Sequence, residues 1–239
     1  MIIGVSPDLP HTADLPPAKE IGLRIFKPMV AIALRAFWHV HLHGAKHVPA
    51  AGPVILASNH IGLLDGPVLV SMTRRLTFAV AKHELFNGVL GRFLSHVGQI
   101  SLNRRQVDTR AISRAVQVLR AGKVLAVFPE GVRGGGDVAW ARGGAAYLAM
   151  VTGAPIVPVA LLGTREPGQT KNQVPRRGTS IHVIYGEPFT VPRSPWPRRK
   201  DMVTEWTAVV RDRLAAHVVT AQEQTGLPLP GPPKPLAVR

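Results

Sequence analysis

The stretch PVILASNHIGLLDGPV, residues 53–68, is the most informative about the fold, because it joins an apolar run to a turn and then to a second apolar run. The opening run, VILASN, has the length and composition of a buried strand. Gly62 and Gly66 permit the chain to turn behind it, and we expect a helix to begin near Asp65. The stretch thus predicts a strand–turn–helix unit with two polar side chains, His60 and Asp65, at the turn.

The same alternation of strands and helices continues on both sides of this unit. Apolar runs of strand length lie at 54–59, 76–81, 98–102, 123–129, 155–161 and 180–186, and helical periods lie at 66–73, 85–96, 108–121, 142–152 and 200–224. Asp108 is suited to cap the helix at 108–121, and Gly122 is suited to end it. We therefore predict a single α/β domain over residues 39–225, with a mixed, largely parallel sheet flanked by helices.

An amphipathic helix is predicted before this domain, over residues 17–38. Its polar residues form one stripe at helical intervals, namely Glu20, Arg24, Lys27 and Arg35, while apolar residues cover the rest. A wide apolar face beside a narrow basic stripe is typical of a helix that lies in a membrane interface. The alternative, in which the same apolar face packs on the domain, stays open. No apolar run reaches the roughly 20 residues that a membrane-spanning helix needs.

The two ends of the chain differ in composition from the rest. Residues 1–16 contain no basic segment leading into an apolar core, so they do not resemble a signal peptide, and we expect a flexible arm. Residues 226–239, GLPLPGPPKPLAVR, are rich in proline and predict a disordered tail.

The chain is strongly basic, since 29 Lys and Arg residues against 14 Asp and Glu residues give a formal net charge of +15. Such an excess favours a polyanionic partner: nucleic acid, an anionic membrane surface or a phosphorylated ligand. Aromatic residues make up only 5% of the chain and we find no nucleic-acid recognition motif, so no nucleic-acid partner is expected. Cysteine is absent, which excludes disulfides and thiol catalysis.

His60 and Asp65 form a candidate catalytic pair. On a continuous helix, side chains five residues apart diverge by about 140°, but a turn before the helix can bring them together. A carboxylate bonded to one imidazole nitrogen fixes the tautomer and leaves the other nitrogen free to take a proton from a hydroxyl. The pair is a catalytic triad without its serine, so the nucleophile would be the alcohol of the substrate. Alone, this spacing is a weak signal, because the chain has ten histidines.

Further polar residues follow two other predicted strands. Arg104 follows GQISL, and the run KVLAVFP is followed by Glu130, Gly131 and Arg133. Sites in open α/β sheets gather at the carboxyl ends of the strands, so we expect these residues to share a rim with His60 if the strands are parallel. Guanidinium groups bind phosphate bidentately, and glycine lets backbone N–H groups approach an anion. Glu130 could orient an arginine or a substrate hydroxyl.

Four sequence boxes, in order, resemble those of the glycerolipid acyltransferases, the group that includes 1-acylglycerol-3-phosphate acyltransferase. NHIGLLD is similar to the NHxxxxD box, GQISLNR to the second box, FPEGVR to the third and APIVPV to the fourth. The resemblance covers residues 40–190. Four boxes in the same order are far more specific than any one of them.

This resemblance implies an enzyme of phospholipid biosynthesis that moves a fatty acyl group from acyl-CoA or acyl-carrier protein to the free hydroxyl of 1-acylglycerol-3-phosphate. His60 would be the general base and Asp65 would orient it, while the glycerol phosphate of the acceptor would be bound by Arg104, Glu130, Gly131 and Arg133. The first helix and residues 82–97 would form the wall of an acyl groove. No metal, no cofactor and no covalent acyl-enzyme are implied, and the expected location is the cytoplasmic face of the cell membrane.

The chain departs from the family pattern after FPEG, where Val132 and Gly134 stand in place of two hydroxyl residues. The acceptor therefore stays open, with glycerol-3-phosphate, another lysophospholipid or a glycolipid as alternatives for the same chemistry. A non-enzymatic basic protein that binds membranes or nucleic acid is the remaining alternative, and the net charge is its only support.

The run HVHLH, residues 39–43, would place three histidines on one face of a strand. Three imidazoles can bind zinc, but no carboxylate or cysteine is close to them in the sequence. We therefore favour an ordinary strand over a metal site for this run.

Overall fold

The computed structural model describes residues 9–235, which form a seven-stranded sheet flanked by helices. The strands are β1 (His39–His43), β2 (Val54–Ser58), β3 (Thr77–Lys82), β4 (Ile100–Leu102), β5 (Val124–Val127), β6 (Ile156–Leu162) and β7 (Ser180–Tyr185). Their order across the sheet is β1-β7-β6-β2-β5-β3-β4. All six strands predicted from apolar runs are present, and the HVHLH run adds an edge strand.

Most neighbouring strands are parallel. β2 pairs in parallel with β5 and β6, and β3 pairs in parallel with β5 and β4. β7 is antiparallel to β6 and parallel to β1, so these two strands run against the other five. The predicted mixed, largely parallel sheet is confirmed. Because β2, β4 and β5 run in the same direction, their carboxyl ends lie at one rim.

The helices are α1 (Ile21–Phe37), α2 (Asp65–Met72), α3 (Gly88–His96), α4 (Thr109–Arg120), α5 (Gly144–Thr152) and α6 (Lys200–Thr225). Asp108 caps α4 as predicted, since its carboxylate accepts the Ala111 N–H at 2.9 Å. The predicted start of α3 is a separate 3₁₀ turn, His83–Phe86. Asn87, which is extended with φ of −93° and ψ of 151°, separates the two, and Gly88 at the start of α3 has a φ of 65°.

Apolar side chains cover both faces of the sheet. In β2, Ile55 and Ala57 join a cluster under α4 and α5, whereas Val54 and Leu56 join a cluster under α1 and α2. A third cluster lies between α6 and β6. Burial on both faces explains why these strands read as continuous apolar runs rather than as alternating ones.

α1 packs on the domain with one side. Leu23 and Leu34 are buried in the core, and the Lys27 ammonium is also directed inward. It donates to the carbonyl oxygens at the end of α2, those of Thr73, Arg74 and Arg75. A cation is favoured at a helix C-terminus, which explains why Lys27 leaves the predicted basic stripe.

The other side of α1 carries an exposed apolar stripe. It consists of Ile21, Ile25, Met29 and Ile32, and each of these side chains is more than half exposed. Among residues 9–235, no helix is both long and apolar enough to cross a membrane. The helix therefore has two apolar sides, one buried against the domain and one facing outward.

The described part of the arm lies along α4. The side chain of Gln117 donates to the carbonyl oxygens of Leu15 and Pro16, and that of Arg120 donates to the carbonyl oxygen of Pro10. These contacts place residues 9–16 against the domain. The rest of the predicted arm, residues 1–8, lies outside the described residues.

The proline-rich tail also differs from the predicted disordered segment over residues 226–235. Pro230 is buried, and Leu227 and Leu229 pack against the cluster between α6 and β6. The leucines between the prolines supply the apolar surface that holds the segment in place. Residues 236–239 lie outside the described residues.

Candidate active site

His60 lies in the turn between β2 and α2, and Asp65 is the first residue of α2, as predicted. The distance between His60 Nδ1 and Asp65 Oδ2 is 2.7 Å. Because an ionised carboxylate can only accept, Nδ1 carries the proton and Nε2 is left as the basic nitrogen. The imidazole stacks on Phe128 with ring centroids 4.2 Å apart, which fixes its plane. The pair therefore has the geometry of a general base and its orienting carboxylate.

Asp65 is fully buried and has a complete set of hydrogen-bond donors. Its Oδ2 also accepts the backbone N–H groups of Ile61 at 2.6 Å and of Gly62 at 2.8 Å. Its Oδ1 accepts the hydroxyl of Thr164, a buried residue that follows β6. These donors replace the water that the buried charge has lost, and they hold the carboxylate in one orientation.

The two glycines of the turn differ in what they do, and neither acts as predicted. Gly62 and Gly66 both lack a positive φ, so the turn does not depend on their conformational freedom. A Cβ on Gly62 would lie 2.5 Å from the carbonyl oxygen of Thr164, whereas the space around Gly66 is open. Gly62 is needed because two backbone segments approach closely there, and Gly66 is not needed for the turn.

Arg104 and Arg133 lie at the same rim as His60, as the parallel strands predicted, and all three line one cavity. Arg104 donates to the carbonyl oxygen of Gly131, and Arg133 donates to the loop between β6 and β7. Neither guanidinium forms a salt bridge within residues 9–235. Burial lowers the pKa of Arg104, and the nearby charge of Arg142 lowers it further. The rim is therefore electropositive and suited to an anion.

Arg142 is a third arginine of the rim, and no motif in the sequence predicted it. Arg142 precedes α5, and its backbone N–H donates to the carbonyl oxygen of Pro129 at 2.9 Å. Its side chain lies over Gly131, where a Cβ would be 2.9 Å from the guanidinium Nε. Arg142 also lines the cavity with Arg104 and Arg133. Only its place directly before the two glycines at the start of α5 could have drawn attention to it.

Glu130 is placed differently from the arginines. It is only 3% exposed, and its Oε1 accepts the backbone N–H of His60 at 2.9 Å. Burial raises the pKa of Glu130 to about 7, against the opposing effect of this hydrogen bond. No salt bridge joins it to an arginine in the described part of the chain, and its side chain is not part of the cavity wall. Glu130 thus supports the loop of His60, while Gly131 beside it lines the cavity.

Two buried polar residues behind the catalytic pair were also missed. Thr164 bonds Asp65, as described above, and Arg165 is only 1% exposed. The Arg165 guanidinium donates to the carbonyl oxygens of Ile61 at 2.6 Å and of Gly134 at 2.9 Å. Both residues follow β6, the strand of the fourth box, so their place at the carboxyl end of a predicted strand was the available signal.

An apolar cavity of about 1170 Å³ lies beside the polar rim. Its walls come from α1, α3, α4 and α5, with side chains that include Phe26, Phe93, Leu94, Ile112 and Leu148. His60 and the three arginines also line this cavity. One cavity therefore combines a large apolar surface, three guanidinium groups and the imidazole of His60.

The histidines of β1 form a separate cluster with His182 of β7. The His41 and His182 rings stack with centroids 4.6 Å apart, and His43 Nε2 lies 3.1 Å from His182 Nδ1. Burial lowers the pKa of His182, and the two neighbouring imidazoles lower it further. Within residues 9–235, no group of three or more His, Cys, Asp or Glu side chains is arranged to hold a metal ion. The cluster is a set of stacked rings on the sheet edge.

Several known proteins are similar to this chain in sequence. A family model described as acyltransferase matches residues 39–162, just over half of the chain. The 1-acyl-sn-glycerol-3-phosphate acyltransferase of Borreliella burgdorferi is 29% identical over 182 residues, which cover 74% of this chain and 70% of that protein. The protein of the same name from Bacillus subtilis is 30% identical over 152 residues, which cover 63% of this chain and 73% of that protein.

The fold is also found among solved structures. The crystal structure of the 1-acyl-sn-glycerophosphate (LPA) acyltransferase from Thermotoga maritima matches with a TM-score of 0.61 and 21% sequence identity. The match covers 82% of this chain and 79% of that chain. The region matched by the family model runs from β1 to β6, and so includes the turn of His60 and the strands that form the rim.

Proposed function

Because this chain belongs to the acyltransferase family, we propose that it transfers a fatty acyl group from acyl-CoA or acyl-carrier protein to the free hydroxyl of 1-acylglycerol-3-phosphate. The observation that carries this proposal is that His60, three arginines and many apolar side chains line one cavity. An anionic head group and an acyl chain would meet at the imidazole. Membership of the acyltransferase family also argues against the alternative of a non-enzymatic binding protein.

In the proposed reaction, His60 Nε2 takes the proton of the acceptor hydroxyl while the hydroxyl oxygen attacks the thioester carbonyl carbon. The new C–O bond gives a tetrahedral oxyanion. When it collapses, the C–S bond breaks and the leaving thiolate takes the proton back from the imidazolium. Asp65 does not take the proton; it stabilises the imidazolium and keeps Nδ1 protonated. A thioester is already activated, so positioning and proton transfer supply most of the acceleration.

The phosphate of the acceptor is proposed to bind at the arginine rim. Arg104, Arg133 and Arg142 all line the cavity, and none of them has a salt-bridge partner in residues 9–235. Guanidinium groups bind phosphate through paired hydrogen bonds, and a bound phosphate would relieve the repulsion between the three charges. Gly131 lies between Arg104 and Arg142 and keeps this space free of a side chain. Glu130 would act indirectly, because it fixes the backbone of His60.

The acyl chain of the donor is proposed to lie in the apolar cavity. A cavity of about 1170 Å³ is slightly larger than the range of about 300–1,000 Å³ that is usual for small-molecule sites. α1 and α3, the two segments of the predicted acyl groove, supply part of its wall, together with α2, α4 and α5. The residues present supply the proton acceptor and the anion-binding groups, so we propose a reaction without a metal ion or another cofactor.

We further propose that the protein works on the surface of the membrane, at its cytoplasmic face. The apolar stripe of α1 is exposed, and so are Val89 and Leu90 of α3. Other residues of these two helices line the cavity. A lipid acceptor could therefore move from the bilayer into the cavity without crossing water. Basic residues near an anionic leaflet would add about 1 kcal/mol each.

A second candidate keeps the reaction and changes the acceptor. Val132 lines the cavity and is 48% exposed, at a position where the related enzymes were expected to have a hydroxyl residue. Gly134 offers no side chain at the second such position. The acceptor could then be glycerol-3-phosphate, another lysophospholipid or a glycolipid.

The test is acyl transfer by the purified protein in anionic vesicles, with oleoyl-CoA, palmitoyl-CoA and acyl-carrier protein as donors. The acceptors are 1-acylglycerol-3-phosphate, glycerol-3-phosphate and uncharged lysolipids of the same chain length. Transfer that favours 1-acylglycerol-3-phosphate supports the proposal. Transfer only to a different acceptor supports the second candidate, and no transfer to any acceptor from folded protein would contradict both.

A further inference from the structure

Arg165 is a buried cation that has carbonyl oxygens as partners instead of a carboxylate. It is 1% exposed, and its guanidinium donates to the carbonyl oxygens of Ile61, Gly134, Gln169 and Gly231. Burial lowers the pKa of Arg165. A buried charge is tolerated only when its hydrogen bonds are satisfied, so loss of any of these carbonyl groups weakens the whole arrangement.

These carbonyl groups belong to segments that are far apart in the sequence. Ile61 follows the catalytic His60 directly, and the Ile61 N–H is bonded to Asp65. Gly134 lies in the glycine run beyond the third box, and its N–H donates to the carbonyl oxygen of His60 at 2.8 Å. Arg165 therefore holds two segments that both contact the backbone of the catalytic pair.

The C-terminal segment supplies a further carbonyl group to Arg165 and covers its guanidinium. The carbonyl oxygen of Gly231 accepts from Arg165 Nη2 at 2.5 Å. Leu229 lies against Gly136, where a Cβ would meet it at 3.0 Å and would meet Ile61 at 2.3 Å. The backbone N–H of Lys234 donates to the carbonyl oxygen of Gln169 at 3.2 Å. Residues 227–235, which we name the C-terminal strap, thus contact both the glycine run and the loop after β6.

We propose that Arg165 is a positioning residue through which the C-terminal strap holds the catalytic loop in its working geometry. The strap supplies one carbonyl acceptor to the guanidinium, and the guanidinium fixes Ile61 next to the His60–Asp65 hydrogen bond. Removal of the strap opens the guanidinium to water and releases this restraint. The inference rests on the proposed reaction, since the geometry it describes is that of the general base.

The experiment is a double-mutant cycle that combines a chain ending at Gly226 with Arg165→Met. We expect each change alone to lower kcat by about tenfold or more and to change the KM for the acceptor less than about twofold, because orientation of the base is lost and the rim is kept. In the combined variant, we expect the truncation to lower kcat by less than about twofold beyond Arg165→Met, since both changes remove the same restraint. Arg165→Lys should recover part of the loss.

Arg75 provides the matched control. It also donates to three carbonyl oxygens, those of Pro49, Gly52 and Gly122, but at the opposite end of the sheet, before β2 and β5. Arg75→Met should lower the melting temperature with little change in kcat at a temperature where the protein is folded. In the Arg75→Met background the truncation should keep its full effect on kcat.

A second readout does not depend on activity. The ¹⁵N-edited imidazole spectrum of His60 reports the hydrogen bond to Asp65, and we expect the truncated chain to show a broadened or shifted Nδ1–H signal. If the truncated chain folds poorly, Leu229→Ala loosens the strap with a smaller change and should move kcat and this signal in the same direction.

The outcomes separate the inference from the proposed function. An unchanged kcat and an unchanged His60 signal in the truncated chain would overturn the role of the strap, and so would effects that multiply fully in the combined variant. If no acceptor is acylated by the full chain but the truncation still alters the His60 signal, the proposed reaction is wrong and the positioning role of Arg165 stands.

Discussion

A single histidine, His60, and a cluster of histidines on β1 and β7 have different surroundings in this molecule. His60 is on the turn after the central strand β2 and donates to the buried Asp65. His41, His43 and His182 are on the paired strands β1 and β7 at the sheet edge, and their ring partners are one another. A neighbouring carboxylate stabilises a protonated imidazole, whereas neighbouring imidazoles oppose protonation. Of these histidines, only His60 is arranged to take up a proton during a reaction.

The difference shows that the number of histidines is a poor guide to function. The HVHLH run contains more imidazoles than the NHIGLLD box. What distinguishes the box is a carboxylate with its own buried donors and a position at the carboxyl ends of parallel strands. Variants of His60, of the cluster on β1 and β7 and of the residues around them can therefore test this difference.

The largest expected effect is that of His60→Ala. Removal of a general base and of the group that reprotonates the thiolate should lower kcat/KM by about 10³-fold or more. His182→Ala is the matched control, and it should leave kcat/KM within about twofold, because the cluster on β1 and β7 is not part of the cavity wall. Both are measured by acyl transfer to 1-acylglycerol-3-phosphate. Comparable losses in the two variants would refute the distinction.

A smaller loss is expected for Asp65→Asn, which keeps the shape of the side chain and removes its charge. The amide cannot stabilise the imidazolium, so kcat should fall by about 10²-fold while the KM for the acceptor changes little. The same assay measures both constants. A variant that loses activity only through a higher KM would assign Asp65 to acceptor binding instead.

The arginine rim gives the next effect in size. Arg142→Ala should raise the KM for 1-acylglycerol-3-phosphate by about tenfold, as expected for loss of one charge-assisted contact to phosphate. For an uncharged acceptor it should leave the KM nearly unchanged. Arg105→Ala is the control, because Arg105 is exposed and does not line the cavity. Equal effects on charged and uncharged acceptors would show that Arg142 does not bind the phosphate.

The smallest effect concerns stability and Glu130. The pKa of this carboxyl is raised by burial from 4.5 to about 7, so the folded state binds more protons than the unfolded state between these values. Stability from this group is present below pH 4.5 and is lost as the pH rises through about 7.

Glu130→Gln removes this titration. The free energy of unfolding of the wild type should therefore fall relative to the variant by about 1 to 3 kcal/mol between pH 5 and pH 8. Urea unfolding across this pH range measures the difference. A constant difference would show that Glu130 is not held neutral in the folded state.

The sequence predicts the fold and the centre of the site for physical reasons that act locally. Apolar runs of strand length and caps such as Asp108 depend on nearby residues, and parallel strands then bring Arg104 and Arg133 to the rim of His60. Asp65 was found because its spacing from His60 fits a turn followed by a helix start.

The missed features depend on contacts between distant segments. Arg142 reaches the rim only because its backbone pairs with Pro129, and Arg165 acts through carbonyl groups that carry no signal in the sequence. The role of Glu130 follows from burial against the backbone of His60, which its charge does not suggest. The high proline content of the C-terminal strap predicted disorder, whereas its leucines pack against the domain and hold the strap in place.

The most direct test of the central claim is a long-range ¹H–¹⁵N spectrum of the imidazoles near pH 8. His60 should carry a proton on Nδ1 and have a bare Nε2, and its Nδ1–H signal should be lost in Asp65→Ala and kept in His182→Ala. A His60 that carries its proton on Nε2 in the wild type would contradict the account, because that nitrogen could not then take a proton from the acceptor.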